Sequence, residues 1–189
     1  ACIIVLEENK IAWFQKDAIG IKNLNINAIY LQANDLANNN GNGICAHNVI
    51  DTKTFCQIRL GKNKIQHNHL YGITLIDASF YSEHDEITLN AKGGVIISAA
   101  EKIKNKKEYT FYKNCPLRTI FNSTKIMNNN DSGVVIVGSL KGPIIFNSCQ
   151  LSENTNGMYI KQIQVEDFKK PEANAASLDD SNQLGSIVL

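Results

Sequence analysis

This sequence has no apolar run long enough to span a membrane. Its opening Ala1–Leu6 is a strand-length apolar stretch closed by Glu7 and Glu8. It lacks the basic flank and the length of a secretory leader. The start without Met, directly in a strand, fits a processed chain or a piece of a longer one. An excess of one charge is missing too. Lys and Arg number 19 against 18 Asp and Glu, a formal net charge of +1, so there is no general pull toward nucleic acid or an anionic membrane. Arginine is confined to Arg59 and Arg118 while Lys and Asn abound, a bias that AT-rich coding explains. The five cysteines, Cys2, Cys45, Cys56, Cys115 and Cys149, are odd in number, irregularly spaced and without a CxxC. That pattern argues against a disulfide framework or a zinc site. They read as free thiols filling small core positions in a reducing, intracellular compartment.

What the sequence does have is an internal repeat. Five segments read apolar, two spacers, Asn, three spacers, Gly, then apolar-x-apolar. They run from Leu36 through Asn39 to Gly43, from Ile65 through Asn68 to Gly72, and from Ile87 through Asn90 to Gly94. Two more run from Ile126 through Asn129 to Gly133, and from Leu151 through Asn154 to Gly157, the last one residue shorter. The glycines are separated by 29, 22, 39 and 24 residues, which a unit of about 22–24 residues with insertions explains. The first insertion is expected within Ala46–Phe55 and the second within Ser98–Leu117. A weaker copy precedes them, with Trp13 seven residues before Gly20. Ile120-Phe-Asn-Ser123 and Ile145-Phe-Asn-Ser148 also match, 25 residues apart. Each unit holds short alternating apolar runs such as Ile29/Leu31 and Ile58/Leu60, broken by Asn and Gly, which read as strands joined by tight turns. About three short strands per unit make one turn of a parallel β-helix, rising one strand spacing, roughly 4.8 Å.

On this Asn–Gly–Ile/Val register, over about residues 11–165, the chain resembles the right-handed parallel β-helix repeat family. That architecture is shared by pectate lyases and by eukaryotic F-box and SHC-binding β-helix proteins, and in character the chain is nearer to the latter. The expected fold is all-β: a right-handed, single-stranded parallel β-helix of about six coils over residues 1–165, with two insertions. A non-repeat tail follows over residues 166–189.

Stacked in columns, Leu36, Ile65, Ile87, Ile126 and Leu151 point inward. So do Ile44, Ile73, Val95, Val134 and Met158, and Ala46, Leu75, Ile97, Ile136 and Ile160. The Asn column is expected to pass amide hydrogen bonds from coil to coil while tolerating a left-handed turn, and the glycines to serve a turn with positive φ. The outward position between the two apolar residues reads Lys22, Cys45, Thr74, Ile96, Val135 and Tyr159. A solvated face stays polar, whereas this one turns apolar, and a large exposed apolar patch is normally covered. The cover is either this chain's own tail or a partner protein.

Catalytic chemistry is not visible. The residues before each leading apolar position, Asp35, Lys64, Glu86, Lys125 and Gln150, never place two acids on consecutive coils and read as a charge-balanced surface. The run Ser82-Glu-His-Asp-Glu86 reads as a solvated turn, and His67 and His69 have no carboxylate or thiol nearby in sequence to share a metal. Lys102, Lys104, Lys106 and Lys107, followed by Tyr109, Phe111 and Tyr112, read as an extruded loop able to meet an anionic partner. In the tail, Phe168 precedes a linker-like stretch, and Ile187, Val188 and Leu189 are able to cap the last coil or add a strand to a partner. The expected function is a non-catalytic scaffold in a larger intracellular assembly, with no cofactor and no metal. Its protein contacts would be Ile96, Val135, Tyr159, the four lysines, Phe168 and Ile187 to Leu189. A cytoskeletal or ciliary setting follows from family analogy alone. The alternative is a carbohydrate-active β-helix: a lyase, a hydrolase or a glycan-binding fragment.

Overall fold

A computed structural model describes residues 3–22, 28–49, 58–98, 118–138, 142–161 and 187–188. The chain winds through six coils of three strands. The first holds β1 (Ile3–Glu7), β2 (Lys10–Ala12) and β3 (Ile19–Lys22), and the second β4 (Ala28–Gln32), β5 (Asp35–Ala37) and β6 (Ile44–Val49). The third holds β7 (Ile58–Gly61), β8 (Lys64–Gln66) and β9 (Tyr71–Ala78), and the fourth β10 (Phe80–Glu83), β11 (Glu86–Thr88) and β12 (Gly93–Ser98). The fifth is β13 (Thr119–Asn122), β14 (Lys125–Met127) and β15 (Ser132–Val137), and the sixth β16 (Ile144–Asn147), β17 (Gln150–Ser152) and β18 (Asn156–Lys161). A last strand, β19 (Ile187–Val188), lies beside β16.

Equivalent strands pair in parallel, so three sheets run along the axis: sheet A from β1 to β19, sheet B from β2 to β17 and sheet C from β3 to β18. This is the parallel β-helix that the repeat predicts. The three predicted apolar columns fill its interior. Leu36, Ile65, Ile87 and Ile126 are fully buried, each side chain contributing about 1.5–3 kcal/mol of transfer free energy. Sheet A adds Phe80, Phe121 and Phe146, with Phe121 and Phe146 stacked at 5.0 Å and 6°. In the last coil the columns open: Ile160 is 55% exposed where Ile136, one coil earlier, is 2%.

The corners differ from expectation. Among the described residues, positive φ is found almost entirely at the residue that follows a strand of sheet A or sheet B, and that residue is not glycine. After sheet A these are Glu8, Ala33, Lys62, His84, Ser123 and Ser148; after sheet B they are Trp13, Asn38, His67, Leu89, Asn128 and Glu153. One left-handed residue between extended ones bends the chain sharply, at a cost of roughly 1–2 kcal/mol that the stacking must offset. The next residue is thereby aimed inward, and after sheet B this is the ladder Asn. Asn68 donates from its backbone N–H and from Nδ2 to Asn90 Oδ1 (3.1 and 3.0 Å), and Asn90 repeats this to Asn129 Oδ1 at 3.0 Å each.

From Gly43 to Gly133 the repeat glycines are needed for close approach rather than for a turn, whereas a Cβ on Gly157, in the last coil, would meet nothing within 4 Å. A Cβ on Gly94 would lie 2.5 Å from the Gly133 carbonyl oxygen, 2.5 Å from Ile126 Cγ2 and 3.0 Å from Asn129 Nδ2. The glycine of one coil therefore makes room for the leading apolar residue and the ladder Asn of the next, which couples the three positions of the repeat.

The first coil also lies in a different register from the one expected. Ile11, not Trp13, pairs with Leu36, and Gly20 pairs with Cys45 while Lys22 pairs with His47. Phe14 stands where later coils carry the ladder Asn, and its backbone N–H donates to Asn39 Oδ1 at 3.1 Å. Of the stretch expected to hold the first insertion, Ala46 to Val49 continue β6, and 50–55, like 99–117 of the second, lie outside the described residues.

Candidate functional site

The outer faces of the three sheets carry different chemistry. On sheet B the outward column reads Lys10, Asp35, Lys64, Glu86, Lys125 and Gln150. Lys125 Nζ lies 3.2 Å from Glu86 Oε1, and Gln66 donates to Asp35 Oδ1 at 3.4 Å. Asp35 and Glu86 are two coils apart, roughly 9–10 Å along the axis, and Lys64 fills the rung between them. Alternating charge of this kind makes a solvated face.

Sheet C differs. One outward column reads Gly20, Cys45, Thr74, Ile96, Val135 and Tyr159, and the next reads Lys22, His47, Ile76, Ser98, Val137 and Lys161. Ile96, Val135 and Tyr159 thus adjoin as expected, whereas Lys22 belongs to the neighbouring column. Val135 is only 8% exposed although it faces outward, Ile96 is half-buried and Tyr159 is 51% exposed. At the other end, Gly20 leaves a depression of about 460 Å³ lined by Lys16, Asp17, Gly20 and Lys22. Asp17 Oδ1 accepts from the Asn42 backbone N–H and from Asn42 Nδ2, both at 2.8 Å. Beside it, burial and then the Asp17 carboxylate push the Cys45 thiol up. Cys45 therefore sits on the outer face and not in the core. Cys149 is a half-buried corner residue whose thiol burial also pushes up, and the other three cysteines lie outside the described residues.

Sheet A carries a row that the sequence reading did not single out. Tyr30, Arg59, Tyr81, Ile120 and Ile145 line one outward column, and Gln32, Gly61, Glu83, Asn122 and Asn147 the next. The Arg59 guanidinium lies 6.0 Å from the Tyr30 ring centre, and Asn122 Nδ2 donates to Glu83 Oε1 at 3.2 Å. Burial and then Glu83 push the Tyr81 phenol up, which keeps its proton in place. The outward placing of Tyr30, Arg59 and Tyr81 was readable, since each stands between two inward positions of its strand, as Tyr30 does between Ile29 and Leu31; that they share one row follows from the strand pairing.

The run Ser82 to Glu86 is not the solvated turn expected. Left-handed His84 rotates the chain, so Glu83 and Glu86 face outward on different sheets while Ser82 and Asp85 are fully buried. Among the described residues no three His, Cys, Asp or Glu side chains come together to hold a metal ion. Ile187 and Val188 form β19 against Ile144 and Ile145. Lys102, Lys104, Lys106, Lys107, Phe168 and Leu189 lie outside the described residues. The links from β6 to β7 and from β12 to β13, where the two insertions are expected, and the chain after β18 all leave a strand of sheet C, so they start at the one corner where sheet C passes to sheet A.

The strand topology defines the class: a parallel β-helix repeat protein. No family model matches the chain, and no curated protein matches it. Among solved structures it is similar to the periplasmic alginate epimerase AlgG at 15% identity, with a TM-score of 0.48 over 85% of this chain and 39% of that one. The chain thus spans well under half of that protein's length.

Proposed function

We propose that this chain is a non-catalytic β-helix module that binds protein partners in a larger intracellular assembly, in the manner of the F-box and SHC-binding β-helix proteins. The observation that carries this reading is the contrast between two outer faces of one solenoid. Sheet B shows how this protein builds a face for water, with a charge on five of six rungs. Sheet C, on the same coils, presents Ile76, Ile96, Val135, Val137 and Tyr159. An apolar stripe ending in an exposed Tyr has the character of a contact core, where aromatic anchors carry much of the binding energy. The free, high-pKa thiols of Cys45 and Cys149 suit a reducing compartment.

A second reading is favoured by the sheet A row. Two tyrosines, a guanidinium, a carboxylate and several amides on successive rungs form a platform suited to a glycan chain lying along the axis. One experiment separates the two. A photo-crosslinking residue at position 159 in cells is expected to trap a defined protein, and Ile96→Lys is expected to abolish that adduct. Retention of the purified chain on a polysaccharide, lost in Arg59→Ala and unaffected by Ile96→Lys, overturns the protein-binding reading in favour of the glycan one.

A further inference from the structure

The sequence holds three Asn–Gly pairs: Asn40–Gly41, Asn42–Gly43 and Asn156–Gly157. Asn is a thermolabile residue, and most so before glycine, whose bare, freely rotating N–H can swing onto the side-chain amide. That reaction needs the glycine N–H to be unoccupied and the chain around it to turn. Two of the pairs are closed to it. Gly41 N–H donates to the Lys16 carbonyl at 3.0 Å and Gly43 N–H to the Tyr71 carbonyl at 3.1 Å, and both glycines are buried. Asn40 Nδ2 donates to Gln15 Oε1 at 3.0 Å. The Asn42 amide is held at both ends, with Nδ2 on Asp17 Oδ1 at 2.8 Å and Oδ1 accepting from Tyr71 N–H and Thr74 Oγ1 at 3.1 and 2.9 Å.

The third pair opens β18 and is placed differently. Gly157 stands at the register of Gly43, whose N–H reaches forward to the next coil. Sheet C ends at β18, so among the described residues the Gly157 N–H has no carbonyl to reach. Asn156, Gly157, Tyr159 and Ile160 are all exposed, and the space around the Gly157 Cα is open. A strand with a neighbour on one side only frays at the cost of one row of hydrogen bonds instead of two. Asn156 is tied to the fifth coil by its N–H on the Asp131 carbonyl (3.1 Å) and by Nδ2 on Asp131 Oδ1 (3.2 Å), the latter at the surface.

We propose that Asn156 is a site of spontaneous deamidation through Gly157, and that the product unlatches the sixth coil from the fifth. The Gly157 nitrogen bonds to Asn156 Cγ, the Cγ–Nδ2 bond breaks, and ammonia leaves with the proton of the Gly157 N–H. Water then opens the cyclic imide at one carbonyl or the other, giving aspartate or isoaspartate. In the first product a carboxylate faces Asp131 where an amide had donated to it, and like charges on neighbouring strands repel. In the second the main chain runs through Cβ and is longer by one atom, so the residues of β18 after position 156 lose their register on β15.

The test is ageing of the whole folded chain in mildly alkaline buffer, read by tandem mass spectrometry and by enzymatic labelling of isoaspartate. The mass gain of an amide-to-acid change is expected at Asn156 severalfold faster than at Asn40 or Asn42, with isoaspartate among the products. Gly157→Ala, which the open space around that residue accommodates, should slow Asn156 severalfold and leave the other two sites as they were. In urea the three wild-type sites should converge; a gap that persists there comes from local sequence and overturns the structural account. Conversion of Asn156 in the folded chain no faster than that of Asn40 and Asn42 also overturns it. For the consequence, Asn156→Asp should speed amide hydrogen exchange along β18 severalfold, and adding Asp131→Asn should restore much of the loss. Exchange equal to wild type in Asn156→Asp overturns the unlatching.

Discussion

Replacing Asn90 with Ala tests whether the ladder holds the coils together or merely fills a corner. Asn90 is fully buried, and its side chain makes four hydrogen bonds. Oδ1 accepts from the Asn68 backbone N–H and Nδ2 (3.1 and 3.0 Å), and Nδ2 donates to Asn129 Oδ1 (3.0 Å) and the Ile65 carbonyl (3.1 Å). Truncation leaves Asn68 Nδ2 with the Leu36 carbonyl at 3.1 Å, but strands its backbone N–H. An unsatisfied buried polar group costs about 1–3 kcal/mol, and the cavity adds to it, so the expected loss is about 4 kcal/mol. Against a total stability of roughly 5–15 kcal/mol, that is a large fraction. Asn154→Ala is the internal control. It breaks the same kind of bonds, with Asn154 Oδ1 accepting from Asn129 at 3.0 and 2.9 Å, in a part-buried site at the last coil. Water can replace them there, so its cost should be about 1–2 kcal/mol. Urea titration followed by far-UV circular dichroism measures both. Equal losses, or a loss below about 1 kcal/mol at Asn90, would refute the reasoning.

Two further perturbations follow from the packing. Gly94→Ala forces a methyl against the Gly133 carbonyl and Ile126 and should cost about 2–3 kcal/mol. Gly20→Ala meets nothing within 4 Å and should be near neutral; similar melting temperatures for the two would contradict the close-approach account. Glu86→Lys sets three lysines in a row with Lys64 and Lys125. It should cost about 0.5–1 kcal/mol at low salt, and 1 M NaCl should erase most of that; a salt-independent loss would point to packing instead.

The interior of coils two to six was legible because the same residue types recur at the same place: aliphatics at Leu36, Ile65, Ile87 and Ile126, Asn three positions on, and Gly four beyond that. Recurrence shows where a constraint acts, but not always what it is. The glycines looked like turn residues, whereas the neighbouring coil's ladder Asn and leading aliphatic occupy the space their side chains would need. The bends fall instead on Ala33, Lys62, His84 and Leu89, whose identities share nothing because the backbone conformation alone is required there. A second ladder, one residue ahead of the sheet B strands, stayed hidden for a related reason: Asn9, Asn34 and Asn63 pass their amide protons up to Asp85, where the residue type changes and the amide ladder ends. In the first coil, Phe14 replaces the ladder Asn, and reading Trp13 as the leading apolar residue moved the apparent register by two. The sheet A row of Tyr30, Arg59 and Tyr81 was readable only once its strands were known to pair.

The corner where sheet C passes to sheet A has a consequence for how this molecule can change. From β9 to β10 the crossing takes a single residue, Ser79, and from β12 to β13 it takes 99–118, yet the strands on either side keep the same pairing. The other two corners are held by left-handed residues and buried ladders, and from coil to coil their length varies by no more than one residue, in the last turn from sheet B to sheet C. Heredity can thus lengthen, shorten or exchange whole segments at one seam while the coil count, the axis and the other faces stay as they were. New sequence acquired at that seam would be displayed in line, one segment per coil.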